Sequence, residues 1–300
     1  MPAIDYLHLD VFTSNRFEGN QLAVFPDPGQ LSTEQMQAIA QEMNFSESTF
    51  IYPPRTGGDV QMRIFTPGTE LPIAGHPTIG TTFALAHLGT IARGRTDWVY
   101  ELGVGPTPVT LEWKDGTLSF AWMTMPLPSF GGEIADRDAL AAACGISPAD
   151  LHDRAPVQQV SCGVPFLYLP LKTRTAVDAV AIDRAALARC CRDAGLPELG
   201  VYMFAPESGG DETVYSRMLA PGFGITEDPA TGSACGPLGS YLVHYGLVDA
   251  ERARAMVSLQ GVAMRRPSRI HVSIDSKDES ITKVRVGGQS VLAGKGQLFL

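Results

Sequence analysis

The sequence is short of positive charge. Its 23 Lys and Arg are outnumbered by 32 Asp and Glu, for a net charge of −9 and a pI near 5.1. Nucleic acid and anionic membrane both reward clustered cations, so neither is expected as a partner. The one short basic cluster, Arg265, Arg266 and Arg269, is interrupted by Pro267 and reads as local structure. Cysteine is also sparse. Cys144, Cys162, Cys190, Cys191 and Cys235 are odd in number and lack the C-x-x-C spacing of a zinc site or redox dithiol, which points to a reducing compartment. No window approaches the roughly 18 uninterrupted apolar residues of a membrane span, and the N-terminus has no basic region leading into an apolar core. A cytoplasmic location is therefore expected. The chain has no G-x-x-x-x-G-K-[ST] loop, no G-x-G-x-x-G after a strand, no H-E-x-x-H helix and no G-x-S-x-G elbow. No cofactor and no metal are expected. His8 and Asp10, one pleat apart on a strand, could touch a metal, but the expected reading is an exposed polar face.

What is present describes a globular protein. Hydrophobic residues make up 44% and charged residues 18% of 300, and that length favours two domains of about 150 residues each. The chain also resembles itself. ELPIAGH (70–76) falls on EDPATGS (227–233), and in the same register Leu85 meets Leu242, His87 meets His244 and Gly89 meets Gly246. Just upstream, RIFTPG (63–68) matches RMLAPG (217–222) after a short insertion in the second half. Each copy reads as strand, turn, helix. The first helix is expected over Pro77–Leu88 with Gly89 as its cap, and the second over Ala234–Tyr245, stopped by Gly246. Further helices are expected over Thr33–Met43, with Met36, Ile39, Ala40 and Met43 on one face, and over Arg184–Ala194. VTLEW, TLSFAWM, PFLYLPL, RIHVSI and KVRVGG read as strands, and PLPSFGGE (126–133) reads as a linker. The expected fold is α+β: two pseudo-symmetric lobes, 1–126 and 127–300, each a curved, mostly antiparallel sheet wrapped around a central helix, with a final strand that could return to the first lobe.

The repeat also marks a candidate site. Both helix starts are preceded by small or polar residues, AGHP and ATGSA, so open N–H groups and the positive helix end could attract an anion, by about 0.3–2 kcal/mol per end. The copies diverge where polarity matters: Leu71 and His76 in the first correspond to Asp228 and Ser233 in the second. A cleft between lobes that binds one asymmetric molecule would use such a difference. Glu47, in MNFSESTFIY between the first helix and a strand near Thr49, is the third candidate. Desolvation beside Phe45 and Phe50 would suit it to taking and returning a proton.

FEGNQLAVF, MNFSESTF, RIFTPGTELPIAGHPTIG, EDPATGSACGPLGSYL and LQGVAMRRPS, in this order between residues 17 and 268, resemble the PhzF-like proteins of phenazine biosynthesis. The resemblance implies the diaminopimelate-epimerase-like fold and a homodimer. It also implies that Glu47 shuttles a proton between carbons of a compound like trans-2,3-dihydro-3-hydroxyanthranilate. His76 and Asp228 would position the substrate's polar groups, while Ser233, Gly75, Gly232 and Thr231 hold its carboxylate; Asn20 and Ser46, inside the first two motifs, complete the set. Related racemases place a cysteine at each helix start. This chain has Ala74 and Pro229/Ala230 in those turns, with Cys235 already inside the helix. Arg265 stands where relatives often carry Gly. The implied activity is a cofactor-independent isomerisation of a small unsaturated or cyclic carboxylate. The alternatives are a non-catalytic metabolite-binding protein and an epimerase or racemase of an amino-acid-like substrate.

Overall fold

A computed structural model describes residues 3–207, 210–223, 225–278 and 280–300. The chain divides into two compact units, Met1–Met125 with Arg285–Leu300, and Pro126–Val284.

Unit 1 contains β1 (Ala3–Val11), β2 (Asn20–Phe25), α1 (Thr33–Met43), β3 (Glu47–Tyr52), β4 (Val60–Phe65), β5 (Glu70–Leu71), α2 (Gly75–Leu88), β6 (Asp97–Leu102), β7 (Gly105–Lys114) and β8 (Thr117–Met125). The last strand, β18 (Ser290–Phe299), pairs antiparallel with β1, which pairs antiparallel with β2 on its other edge. β2 runs parallel to β3, β3 antiparallel to β4, β4 parallel to β6, and β6, β7 and β8 form a meander. The two parallel steps need crossovers, and α1 and α2 supply them. The α1 helix starts on a reciprocal Ser32/Gln35 capping box and ends on Asn44 in the left-handed region. Met36, Ile39 and Ala40 of α1 are buried with Phe25, Phe50 and Phe65, and Met43 is partly buried against the same cluster. Phe25 stacks on Phe50 at 4.8 Å and Phe65 meets Phe50 edge-on. Burial of each such ring is worth about 1.5–3 kcal/mol.

Unit 2 contains β9 (Ser129–Ile134), α3 (Arg137–Ala143), β10 (Val157–Ser161), β11 (Pro165–Pro170), α4 (Arg174–Ala179), α5 (Arg184–Asp193), β12 (Gly200–Pro206), β13 (Val214–Ala220), β14 (Ile225–Asp228), α6 (Gly232–His244), β15 (Met256–Gln260), β16 (Ser268–Lys277) and most of β17 (Ser280–Gly288). Its pairing order β9, β10, β11, β12, β13, β15, β16 repeats β18, β1, β2, β3, β4, β6, β7 with the same alternation of antiparallel and parallel steps. The duplication seen in two short sequence blocks therefore extends through these seven strands of each unit, in an α+β fold. A buried cluster including Leu140, Leu169, Val177, Leu187 and Met203 packs α3, α4 and α5 onto the sheet.

Two expectations change. Residues 126–133 are not a linker, because β9 begins at Ser129 and pairs with β10. Gly131 and Gly132 are glycine for packing: an added Cβ would lie 3.0 Å from the Gln159 side chain at the first and 3.1 Å from Leu196 at the second. Both central helices also start earlier than expected, at Gly75 and Gly232. Pro77 is thus the third helical residue, where its missing N–H still costs nothing.

Candidate active site

In unit 1, Glu47 is the first residue of β3 and lies opposite Leu22 of β2. His76 lies in the first turn of α2. Glu47 Oε2 and His76 Nε2 are 3.1 Å apart, with side-chain exposures of 16% and 4%, in an arrangement that is not a well-directed hydrogen bond. On the other side of the ring, Asn20 Nδ2 is 3.3 Å from His76 Nδ1, and Asn20 is buried at the start of β2. Burial lowers the His76 pKa to about 3, against a smaller opposing effect of its hydrogen bond with the Gln21 main chain. The imidazole is therefore neutral at ordinary pH. The neutral ring keeps a hydrogen on one of its two nitrogens, with the Asn20 amide beside Nδ1 and the Glu47 carboxyl beside Nε2. Ser46 is half-buried, just before Glu47.

In unit 2, Asp228 ends β14 and is buried. Its Oδ2 accepts a 2.6 Å hydrogen bond from the Thr231 hydroxyl. Thr231 is the N-cap residue of α6, and with its hydroxyl so engaged the helix has no side-chain cap. The α2 helix, with Ala74 at its N-cap, has none either. Both helix starts therefore keep the capacity to take an anion on their first N–H groups, those of Gly75 and of Gly232 and Ser233.

The strand registers identify counterparts beyond the sequence blocks. Val60 faces Tyr100 and Val214 faces Ser258, which sets Leu102-Gly103 against Gln260-Gly261. Leu22 faces Glu47 and Phe166 faces Gly200, which sets Glu47 against Gly200. An added Cβ at Gly200 would sit 3.3 Å from the Phe166 ring, so the second copy has no room for an acid there without repacking. Sequence reasoning found Glu47, His76 and Asn20, which the fold brings together, and Asp228 and Thr231, which it also brings together. It did not single out Gln260, whose side-chain oxygen accepts from the Thr231 N–H at 3.0 Å and whose match to Leu102 needs the strand register.

Cys235 is fully buried 3.3 Å from the Tyr202 hydroxyl, and burial pushes its thiol up to about 12. A thiolate base there is disfavoured. His8 and Asp10 do not form the expected exposed polar face. Asp10 is buried and accepts from the Phe17 N–H at 2.7 Å, while the His8 ring packs at 4.7 Å against Phe45. No helix among the described residues is long and apolar enough to cross a membrane.

Comparison with known proteins agrees with this architecture. The family model for phenazine biosynthesis-like proteins, PhzC-PhzF, matches residues 9–296. The chain is 37% identical over 297 residues to a trans-2,3-dihydro-3-hydroxyanthranilate isomerase of Pseudomonas fluorescens, covering 99% of each chain. It superposes on the crystal structure of a Bacillus anthracis phenazine biosynthesis protein of the PhzF family with a TM-score of 0.87 at 24% identity, covering 100% of both chains. A hydroxyproline epimerase from Agrobacterium vitis shares the fold at a TM-score of 0.66 and 14% identity, over 99% of this chain and 92% of that one. With a family match over nearly its whole length and a curated isomerase above 30% identity, the chain belongs to the phenazine biosynthesis-like PhzC-PhzF family and is an isomerase.

Proposed function

We propose that this isomerase moves a proton with a single carboxylate, Glu47, on a small unsaturated or cyclic carboxylate resembling trans-2,3-dihydro-3-hydroxyanthranilate, without a cofactor. The observation that carries this reading is the 3.1 Å approach of the Glu47 carboxyl to a neutral, buried His76 in one copy of the duplicated fold, where the other copy has Gly200. A base that must both take and return a proton gains from having little bulk water around it, and the Glu47 carboxyl is only 16% exposed beside a buried imidazole. His76 and Asn20 steady the acid and the substrate's polar edge. Asp228 accepts from a hydroxyl or amino group, and the uncapped start of α6, with Ser233, takes the substrate carboxylate. Racemisation by a pair of thiols is the weaker reading, because Ala74 replaces one thiol and Cys235 is buried and protonated.

The test is incorporation of solvent deuterium during turnover of trans-2,3-dihydro-3-hydroxyanthranilate. Glu47→Gln should abolish turnover and exchange, at least ~10²-fold, while ligand binding persists. Turnover by Glu47→Gln at the wild-type rate would refute the assignment.

A further inference from the structure

Gln260 closes β15 with its side chain fully buried, inside the L-Q-G motif that the proposed function leaves unused. Its amide orientation is fixed by its neighbours. Oε1 accepts from the Thr231 main-chain N–H at 3.0 Å, and that donor allows only an acceptor there. Nε2 donates to the Asp228 carbonyl at 2.7 Å and to Thr231 Oγ1 at 3.0 Å. The Tyr202 hydroxyl donates to Oε1 at 3.2 Å. Because Thr231 Oγ1 accepts from Gln260, its own hydrogen is left for Asp228 Oδ2, to which it donates at 2.6 Å. One amide thus holds both ends of the 228–231 turn and sets the direction of the hydroxyl that orients the carboxylate.

The duplicated unit is an internal control. At the positions of Asp228, Thr231 and Gln260, unit 1 has Leu71, Ala74 and Leu102. Its turn keeps the same close approach without any of the polar groups: a Cβ on Gly103 would lie 2.8 Å from Pro72 Cα, as one on Gly261 would lie 2.5 Å from the Pro229 carbonyl oxygen. The fold therefore builds this turn with three apolar side chains. In unit 2 all three are polar together, and they bond to one another.

The geometry points to Gln260 as a positioning residue that, through Thr231, presets the Asp228 carboxylate and the open first turn of α6 for the substrate. This rests on the proposed substrate-binding role of Asp228, and the experiment separates the two. Turnover of trans-2,3-dihydro-3-hydroxyanthranilate is measured for the Gln260→Leu, Asp228→Asn and doubly substituted enzymes, with crystal structures of the wild-type and Gln260→Leu enzymes. Misplacement of the carboxylate by about 1 Å should lower kcat/KM for Gln260→Leu roughly 10–100-fold. Asp228→Asn should cost at least as much, and the double variant should be no worse than Asp228→Asn alone, because both act through one group. The Gln260→Leu structure should show the Thr231–Asp228 hydrogen bond broken or the turn displaced. Thr231→Val, which removes only the linking hydroxyl, should reproduce the kinetic loss and serves if Gln260→Leu does not fold. Wild-type activity in Asp228→Asn would sink the reading of Asp228. An impaired Asp228→Asn beside a fully active Gln260→Leu or Thr231→Val, independent multiplying losses in the double variant, or an unmoved Asp228 in the Gln260→Leu structure would each overturn the positioning role alone.

Discussion

At the scale of single residues, Arg265 shows how a motif departure is resolved by backbone geometry. It has φ 57, its side chain is exposed, and its N–H bonds the Val262 carbonyl at 3.0 Å within the turn after β15. Glycine suits this position because it has no Cβ to crowd the following carbonyl. Arg265→Gly should raise stability by about 1 kcal/mol in urea titrations and leave kcat unchanged. Sequence alone marked the oddity; the sign of φ was not legible there. Glu47 is the opposite case. The residue could be picked from its motif, but its partner could not, since 29 positions separate it from His76 and only the crossover from β3 through β4 into α2 closes the gap.

Elements were legible where periodicity and caps agreed. The α1 helix runs over the expected residues because its apolar stripe and its Ser32/Gln35 box mark the same start. The strands VTLEW, TLSFAWM, PFLYLPL, RIHVSI and KVRVGG were also readable, though β9 was not, whereas pairing partners were hidden throughout, because an alternating pattern carries no address. The turn after β15 lies in that blind spot. Gly261 has φ 77, and a Cβ there would lie 2.4 Å from the Arg266 carbonyl oxygen as well as near Pro229. Gly261→Ala should therefore cost roughly 3 kcal/mol, combining backbone strain with overlap on main-chain atoms that cannot swing away. Gly103→Ala in the other copy meets only the Pro72 contact, without a positive φ, and should cost clearly less. Thermal unfolding of the two variants side by side checks the order.

At the scale of the whole molecule, stability should depend on pH through groups that burial keeps neutral. His76 has a native pKa of about 3 against 6.5 when exposed, so below pH 6.5 the unfolded chain takes up a proton that the native one refuses. Its contribution is complete above 6.5 and drains away as the pH falls toward 3. Between about pH 7 and pH 5 this amounts to a loss of about 1–2 kcal/mol in the free energy of unfolding. His152 and His271 are also lowered, first by burial, and act in the same direction. His76→Asn should flatten the slope without removing it, as read from urea midpoints at the two pH values.

The pairing of β1 with β18 sets an order of assembly. The first strand leaves the ribosome with its outer hydrogen-bonding edge unmet, and all of Pro126–Val284 is made before the segment that covers it. For that interval the nascent protein carries a bare strand edge next to Leu7 and Leu9, open to capture by a neighbouring chain or to shielding by a chaperone.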